Sequence, residues 1–218
     1  MIPLSQNSQE LTREYQRLVL DKYLSFARIG TFVIFFGLGY FIYEDLYVHR
    51  LPEISIFFRA LPIALALLLL LTISTPLKKR TTSILVLYYL CLAGLMAMMC
   101  GLVALTAGTD KYELYLLGTT VVIFAVYLCN LYGMKYLVPV YMVPFAALAA
   151  YFIVTGKIKL VDAVKMSNPL TVAFVCCLLS EIQNRIKYRD FISGKTVELQ
   201  NRILSLSLIH ISEPTRPY

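Results

Sequence analysis

From Ala60 to Leu77 the chain carries no charge, passes through the run ALALLLLLTI, and stops abruptly at Lys78, Lys79 and Arg80. A helix of that length covers about 27 Å at 1.5 Å per residue, close to the ~30 Å hydrocarbon core of a bilayer. It has no polar face to turn toward water, so it cannot be a surface helix of a soluble domain. Within lipid its backbone polar groups must be satisfied inside the segment, and an α-helix does this. The basic triplet is a strong stop signal at the membrane surface.

Five further apolar stretches follow the same rule. The first runs from about Ile29 to Tyr43 and extends toward Tyr47, with Tyr40, Tyr43 and Tyr47 suited to the interface. The third covers Thr81 to about Thr109 and contains Gly94, Met96, Ala97, Met98, Met99 and Gly101, small or pliable residues that let neighbouring helices approach. A fourth (about Leu114 to Met134) and a fifth (about Tyr136 to Val154) are divided only by Gly133 to Lys135, which predicts a tight antiparallel hairpin. Pro139 and Pro144 are expected to kink the fifth. The sixth covers about Pro169 to Leu179, with an earlier start at Ala163 left open. The predicted fold class is therefore all-α, an integral membrane bundle of six transmembrane helices. Composition agrees, since 59% apolar and 15% charged residues with a mean hydropathy of +0.71 lie outside the soluble range.

The net charge of +7 does not point to nucleic acid. Lys and Arg fall at the ends of apolar segments, and no basic stripe with interleaved aromatics appears outside them. Counted by side, thirteen basic residues flank one face of the membrane and six the other, with Lys157, Lys159 and Lys165 on the poorer side. This asymmetry predicts both termini in the cytoplasm of a multi-pass inner-membrane protein. The first 28 residues lack the apolar core of a cleavable signal peptide. Their Leu11, Tyr15, Leu18, Val19 and Tyr23 recur at helical spacing among charges, which predicts an amphipathic lead-in helix over 1–28, lying on the membrane surface.

Catalysis finds little support. Cys91, Cys100, Cys129, Cys176 and Cys177 lie in apolar segments at no metal-ligand spacing and read as packing residues. No ionisable residue is assigned to a span interior, and no catalytic triad, HExxH or glycine-rich phosphate loop is present. No cofactor or metal is expected. Asn130 reads as an interhelical hydrogen-bonding group. On the predicted outer side Glu44, Asp45, His49, Glu53, Asp110 and Glu113 form an acidic set that could contact a cationic ligand, although solvated loop charge is the favoured reading.

The segment SEIQNRIKYRDFISGKTVELQNRIL leaves the sixth span with no proline and with charges throughout. Ile182, Ile186, Ile192, Leu199 and Ile203 recur at near-heptad intervals, which predicts a cytoplasmic helix over 180–205 that pairs with its twin in a homodimer. Gly194 interrupts the pattern. Beyond it, LSLIHISEPTR, from Leu206 to Arg216, resembles residue for residue the in-frame translation of a transposase sequencing adapter. Residues 206–218 are accordingly set aside as adapter-derived, His49 becomes the only native histidine, and the natural chain is expected to continue past Ser205.

With LSFARIG closing the lead-in, FFRALPIALALLLL in the second span and NPLTVAFVCCLLSEIQNRIKYRDF at the exit, the chain resembles the six-span, MASE-like N-terminal input regions of bacterial signalling proteins. That resemblance covers residues from about 10 to 204. It implies a membrane sensor over 29–179 relaying a cue through the exit helix to a cytoplasmic output domain. The implied output is a diguanylate cyclase slightly ahead of a histidine kinase, with a class III nucleotide cyclase third. No catalytic residue of those domains falls within the sequence. The competing readings are a small multi-span transporter or channel, and a membrane scaffold without an output domain.

Overall fold

A computed structural model describes residues 4–74, 81–157 and 160–212, all of whose regular structure is helical. Helix α1 spans Leu4–Tyr43 and passes into a π-helical turn at Glu44–Val48; α2 is Ile54–Ser74, α3 Thr81–Thr106 and α4 Tyr112–Leu128. They are followed by α5, Met134–Thr155, the short α6, Leu160–Lys165, and α7, Ser167–Ser212. Among the described residues five helices are long and apolar enough to cross a membrane, and their apolar stretches lie within Ile29–Val48, Ile54–Ile73, Ser83–Thr106, Met134–Thr155 and Asp162–Ser205. The protein is multi-pass.

The fourth predicted span is the one that comes out short. Helix α4 has 17 residues, about 26 Å of helix and the lower limit for a crossing. It ends because Cys129–Gly133 leave the helical path before α5 begins at Met134. The tight hairpin is corrected by this geometry. Each of α4 and α5 packs chiefly against α3 and α7, which come between them. The two touch through long side chains, as where the Tyr141 hydroxyl of α5 donates to the Ile123 carbonyl of α4 at 2.8 Å. At its far end α5 stops at Gly156, whose left-handed φ of 61° returns its N–H to the Phe152 carbonyl.

Small residues set the tightest packing. A Cβ on Gly101 of α3 would meet the Phe58 ring of α2 at 2.3 Å, and one on Gly94 would meet Leu65 at 2.8 Å. Here α2 and α3 approach closely enough to gain dispersion contacts in lipid, where no hydrophobic effect drives helices together. Pro62 lies inside α2 and Pro139 and Pro144 inside α5, both helices continuing through them. The core fills the space between α3, α4, α5 and α7 with Met96, Leu102, Val103, Tyr112, Ile123, Leu137, Tyr141, Ala173 and Cys176.

The lead-in is not a separate helix. It is the first half of α1, a single element of 40 residues and about 60 Å. Its Tyr15, Val19 and Leu20 are buried in a cluster with Leu69 and Ile73 of α2, against which Tyr188 and Phe191 of α7 pack. The Tyr15 ring stands edge-on to Tyr188 at 5.2 Å and is tilted 5.5 Å from Phe191, and Lys195 pairs with Glu14 at 2.5 Å. Part of the apolar face expected to lie on lipid is thus covered inside the protein, chiefly by α2, with Tyr15 and Glu14 reaching the exit helix, while Leu18 stays exposed. The triplet Lys78 to Arg80 and residues 213–218 of the adapter-like tail lie outside the described residues.

Candidate functional site

Two polar centres occupy opposite ends of the bundle. The first is built where α1 runs into its π-helical turn. A π turn adds one residue to the helical repeat and re-aims the side chains that follow it, and Asp45 is turned inward until it is 2% exposed. The chain then reverses through Arg50, at a left-handed φ of 49°, and the Leu51 N–H donates to the Asp45 carbonyl at 2.9 Å.

Facing Asp45 is Arg59, 5% exposed on α2. Its Nε donates to Oδ2 at 2.9 Å and its second guanidinium nitrogen to Oδ1 at 3.3 Å, a two-point carboxylate grip. Tyr115 of α4 donates its hydroxyl to Oδ1 at 2.5 Å. The guanidinium is further covered by Met98, with its sulfur at 3.9 Å, and lies 5.1 Å from the centre of the Phe41 ring. One centre thereby ties together α1, α2, α3 and α4. Ser55, one turn before Arg59 on the same face of α2, is 1% exposed, and its hydroxyl has no hydrogen-bond partner there.

The acidic set predicted from sequence divides. Glu44, Asp45 and His49 do gather here: His49 Nε2 lies 3.8 Å from Glu44 Oε1, its ring stands edge-on to Tyr115 at 6.0 Å, and Lys111 Nζ donates to its carbonyl. Glu53 and Asp110 are exposed and form no ion pair among the described residues. Glu113 stands apart, paired at 2.5 Å with Lys165. That hydrogen bond, reinforced by the lysine's charge, holds the Glu113 carboxyl below its ordinary value. Two expectations are corrected. Asp45 is not a solvated loop charge, and ionisable groups do enter the candidate spans, as Arg59 within Ile54–Ile73 and Asp45 within Ile29–Val48. The missed signal was ISIFFRALP, in which a lone arginine is embedded among apolar residues. Starting the second helix at Ile54 instead of Ala60 places Arg59 inside it.

The second centre surrounds the break at Cys129–Gly133. Asn130, 7% exposed, accepts from the Tyr89 hydroxyl of α3 at 2.8 Å and donates to Ser180 Oγ of α7 and to the Tyr132 carbonyl. The Ser180 hydroxyl donates to the same carbonyl at 3.2 Å. Tyr88 donates to the Cys129 carbonyl, and Tyr132 reaches the Gln16 carbonyl of α1 at 2.8 Å. Glu181 Oε2 accepts from the Met134 N–H at 3.3 Å, so a carboxylate from α7 sits at the positive N-terminus of α5. Gly133 provides the room, since a Cβ there would meet that oxygen at 2.5 Å. Asn130 is the interhelical group its sequence position suggested.

Along the exit helix Ile182, Ile186, Leu199 and Ile203 are exposed, while Ile192 is half-buried. Cys91, Cys100, Cys176 and Cys177 are buried free thiols, and Cys129 is exposed at the end of α4. Among the described residues no three His, Cys, Asp or Glu side chains gather as a metal cage. No protein-family model, curated protein or solved structure matches this chain.

Proposed function

We propose that this chain is the six-span membrane input region of a bacterial signalling protein, with both termini in the cytoplasm and α7 as its output shaft. The observation that carries the reading is the clamp on the break between α4 and α5. Asn130, the Tyr132 carbonyl and the N-terminus of α5 are bonded to Ser180 and Glu181, where α7 passes from its apolar half to its charged half. A shift of α4 or α5 is delivered directly to the helix that leaves the membrane.

The shaft itself supports the reading. Up to Ser205, before the adapter-like tail, helix α7 runs unbroken for 39 of its 46 residues, about 58 Å and close to twice the hydrocarbon thickness. Its Tyr188 and Phe191 face is held by α1, which leaves Ile182, Ile186, Leu199 and Ile203 free to pair with a second copy. A cue that binds one arrangement of the spans better than another would shift the equilibrium between them and rotate or slide the shaft in the dimer. The six-span resemblance favours a diguanylate cyclase as the driven domain, followed by a histidine kinase.

Sequencing the uninterrupted gene tests this. The frame is expected to run past Ser205 into a cyclase or kinase domain. A stop codon shortly after Ser205 overturns the proposal and leaves a small transporter, channel or scaffold.

A further inference from the structure

Helices α2 and α5 both pack on α3, and between them a cavity of about 370 Å³ is left open on one side. Ala97, Gly101 and Ala104 of α3 are among its lining residues, together with Phe58 of α2 and with Pro144 and Ala147 of α5. Ala147 on its lining, midway along α5, is exposed, so the cavity opens sideways into the space that acyl chains fill. Its volume is that of a small-molecule site. From Ala97 to Leu105 the groove follows α3 for about 12 Å, the reach of a medium-length alkyl chain.

Polarity is confined to one end. The walls offer no charged group, which excludes sugars, amino acids and nucleotides as deep occupants. Tyr151, at the end nearest the α5 terminus, accepts a hydrogen bond from Lys157 at 3.4 Å, and the ammonium lies 6.0 Å from the Tyr151 ring centre. Lys157 forms no ion pair among the described residues. An ammonium and a phenol hydroxyl above a dry, chain-length groove are complementary to a carboxylate bearing an alkyl tail. We propose that this groove binds a free fatty acid taken from the bilayer, with its tail along α3 and its carboxylate at Lys157 and Tyr151.

An occupied groove would press on Phe58, the neighbour of Arg59, and on Ala97, the neighbour of Met98. Whether occupancy acts as the cue rests on the sensing reading; the binding does not. The test uses the full chain in phosphatidylcholine nanodiscs with a diazirine analogue of dodecanoic acid, the crosslinked peptides being mapped by mass spectrometry. Labelling is expected within Ala97–Leu105 and Pro144–Tyr151 and is competed by dodecanoic acid. Lys157→Ala is expected to weaken that competition roughly two- to fivefold, the worth of an exposed ion pair, and to leave competition by the methyl ester unchanged. Ala147→Phe, which fills the groove, removes the labelling. Equal labelling of these peptides by a photoreactive phosphatidylcholine, without competition by the acid, overturns the proposal. So does equal loss of acid and ester binding in Lys157→Ala.

Discussion

Replacing Asp45 by leucine isolates the energetics of the buried ion pair. The substitution removes the acceptor of two guanidinium bonds and of the Tyr115 hydroxyl. Arg59, at 5% exposure, keeps only Met98 and the Phe41 ring, and it cannot shed its proton to escape burial. Removing one partner of such a pair costs about 3–5 kcal/mol, because the other charge stays desolvated. That is a large share of the roughly 5–15 kcal/mol that stabilises a typical domain. Replacing Arg59 by methionine as well removes the stranded charge, and the double variant then lacks chiefly the partner of Tyr115, at about 1–3 kcal/mol. Unfolding by titration with dodecyl sulfate in mixed micelles, followed by circular dichroism, measures the four corners of the cycle. The double variant is expected to be more stable than Asp45→Leu alone, with a coupling energy of at least about 2 kcal/mol. Costs that add to within about 0.5 kcal/mol would refute the reasoning, since two independent sites behave that way.

Gly133→Ala is expected to push Glu181 from the N-terminus of α5, because the new Cβ would meet its carboxylate oxygen at 2.5 Å; amide exchange at Met134 should rise, and in a Glu181→Ala background the glycine change should add little. With the native cysteines removed, single cysteines at Ile182, Ile186, Leu199 and Ile203 are expected to crosslink between copies in membranes, whereas Tyr188→Cys and Phe191→Cys, held against α1, should not. Glu113 has its carboxyl lowered from the ordinary 4.5 by Lys165, so its tie is present above that value and lost as pH falls through the depressed one. A melting series should show this acid-side decline in the parent chain and a flatter one in Glu113→Gln. Gly101→Val should force Phe58 aside and lower thermal stability by about 1–3 kcal/mol, and an unchanged melting temperature would mean that α2 and α3 lie farther apart.

The membrane character was legible because it depends on local composition. A run such as ALALLLLLTI has only one inexpensive state in lipid, whatever surrounds it. Gly94 and Gly101 were legible for a related reason, since small residues in an apolar helix have little use other than close approach. Asp45 was not, because its fate depends on a partner 14 positions away and on a π turn that local pattern does not announce. Tyr15 was legible as part of an apolar face but not in its destination. An amphipathic stripe records that something covers it and leaves open whether that is lipid or Tyr188 and Phe191, 173 and 176 residues on.

The two polar centres acquire meaning from their separation. Helix α4 begins among the ligands of the ion pair, with Tyr115 bonded to Asp45, and ends at the clamp, where Cys129 and Asn130 are held by Tyr88, Tyr89 and Ser180. Its 17 residues therefore link one centre to the other as a rigid rod of about 26 Å. A helix fixed by polar bonds at both ends and packed on α3 and α7 between them transmits displacement without absorbing it, because packed interfaces switch between discrete arrangements more readily than they deform. Replacing Asn130 with leucine would remove the Tyr89, Tyr132 and Ser180 bonds of the clamp but leave the ion pair. In a chimera carrying a reporter output after Leu204, that variant should fix the output in one state while Asp45–Arg59 coupling stays intact. On the proposed signalling reading, an output that still followed changes at Asp45 would show that displacement reaches α7 by a path other than α4.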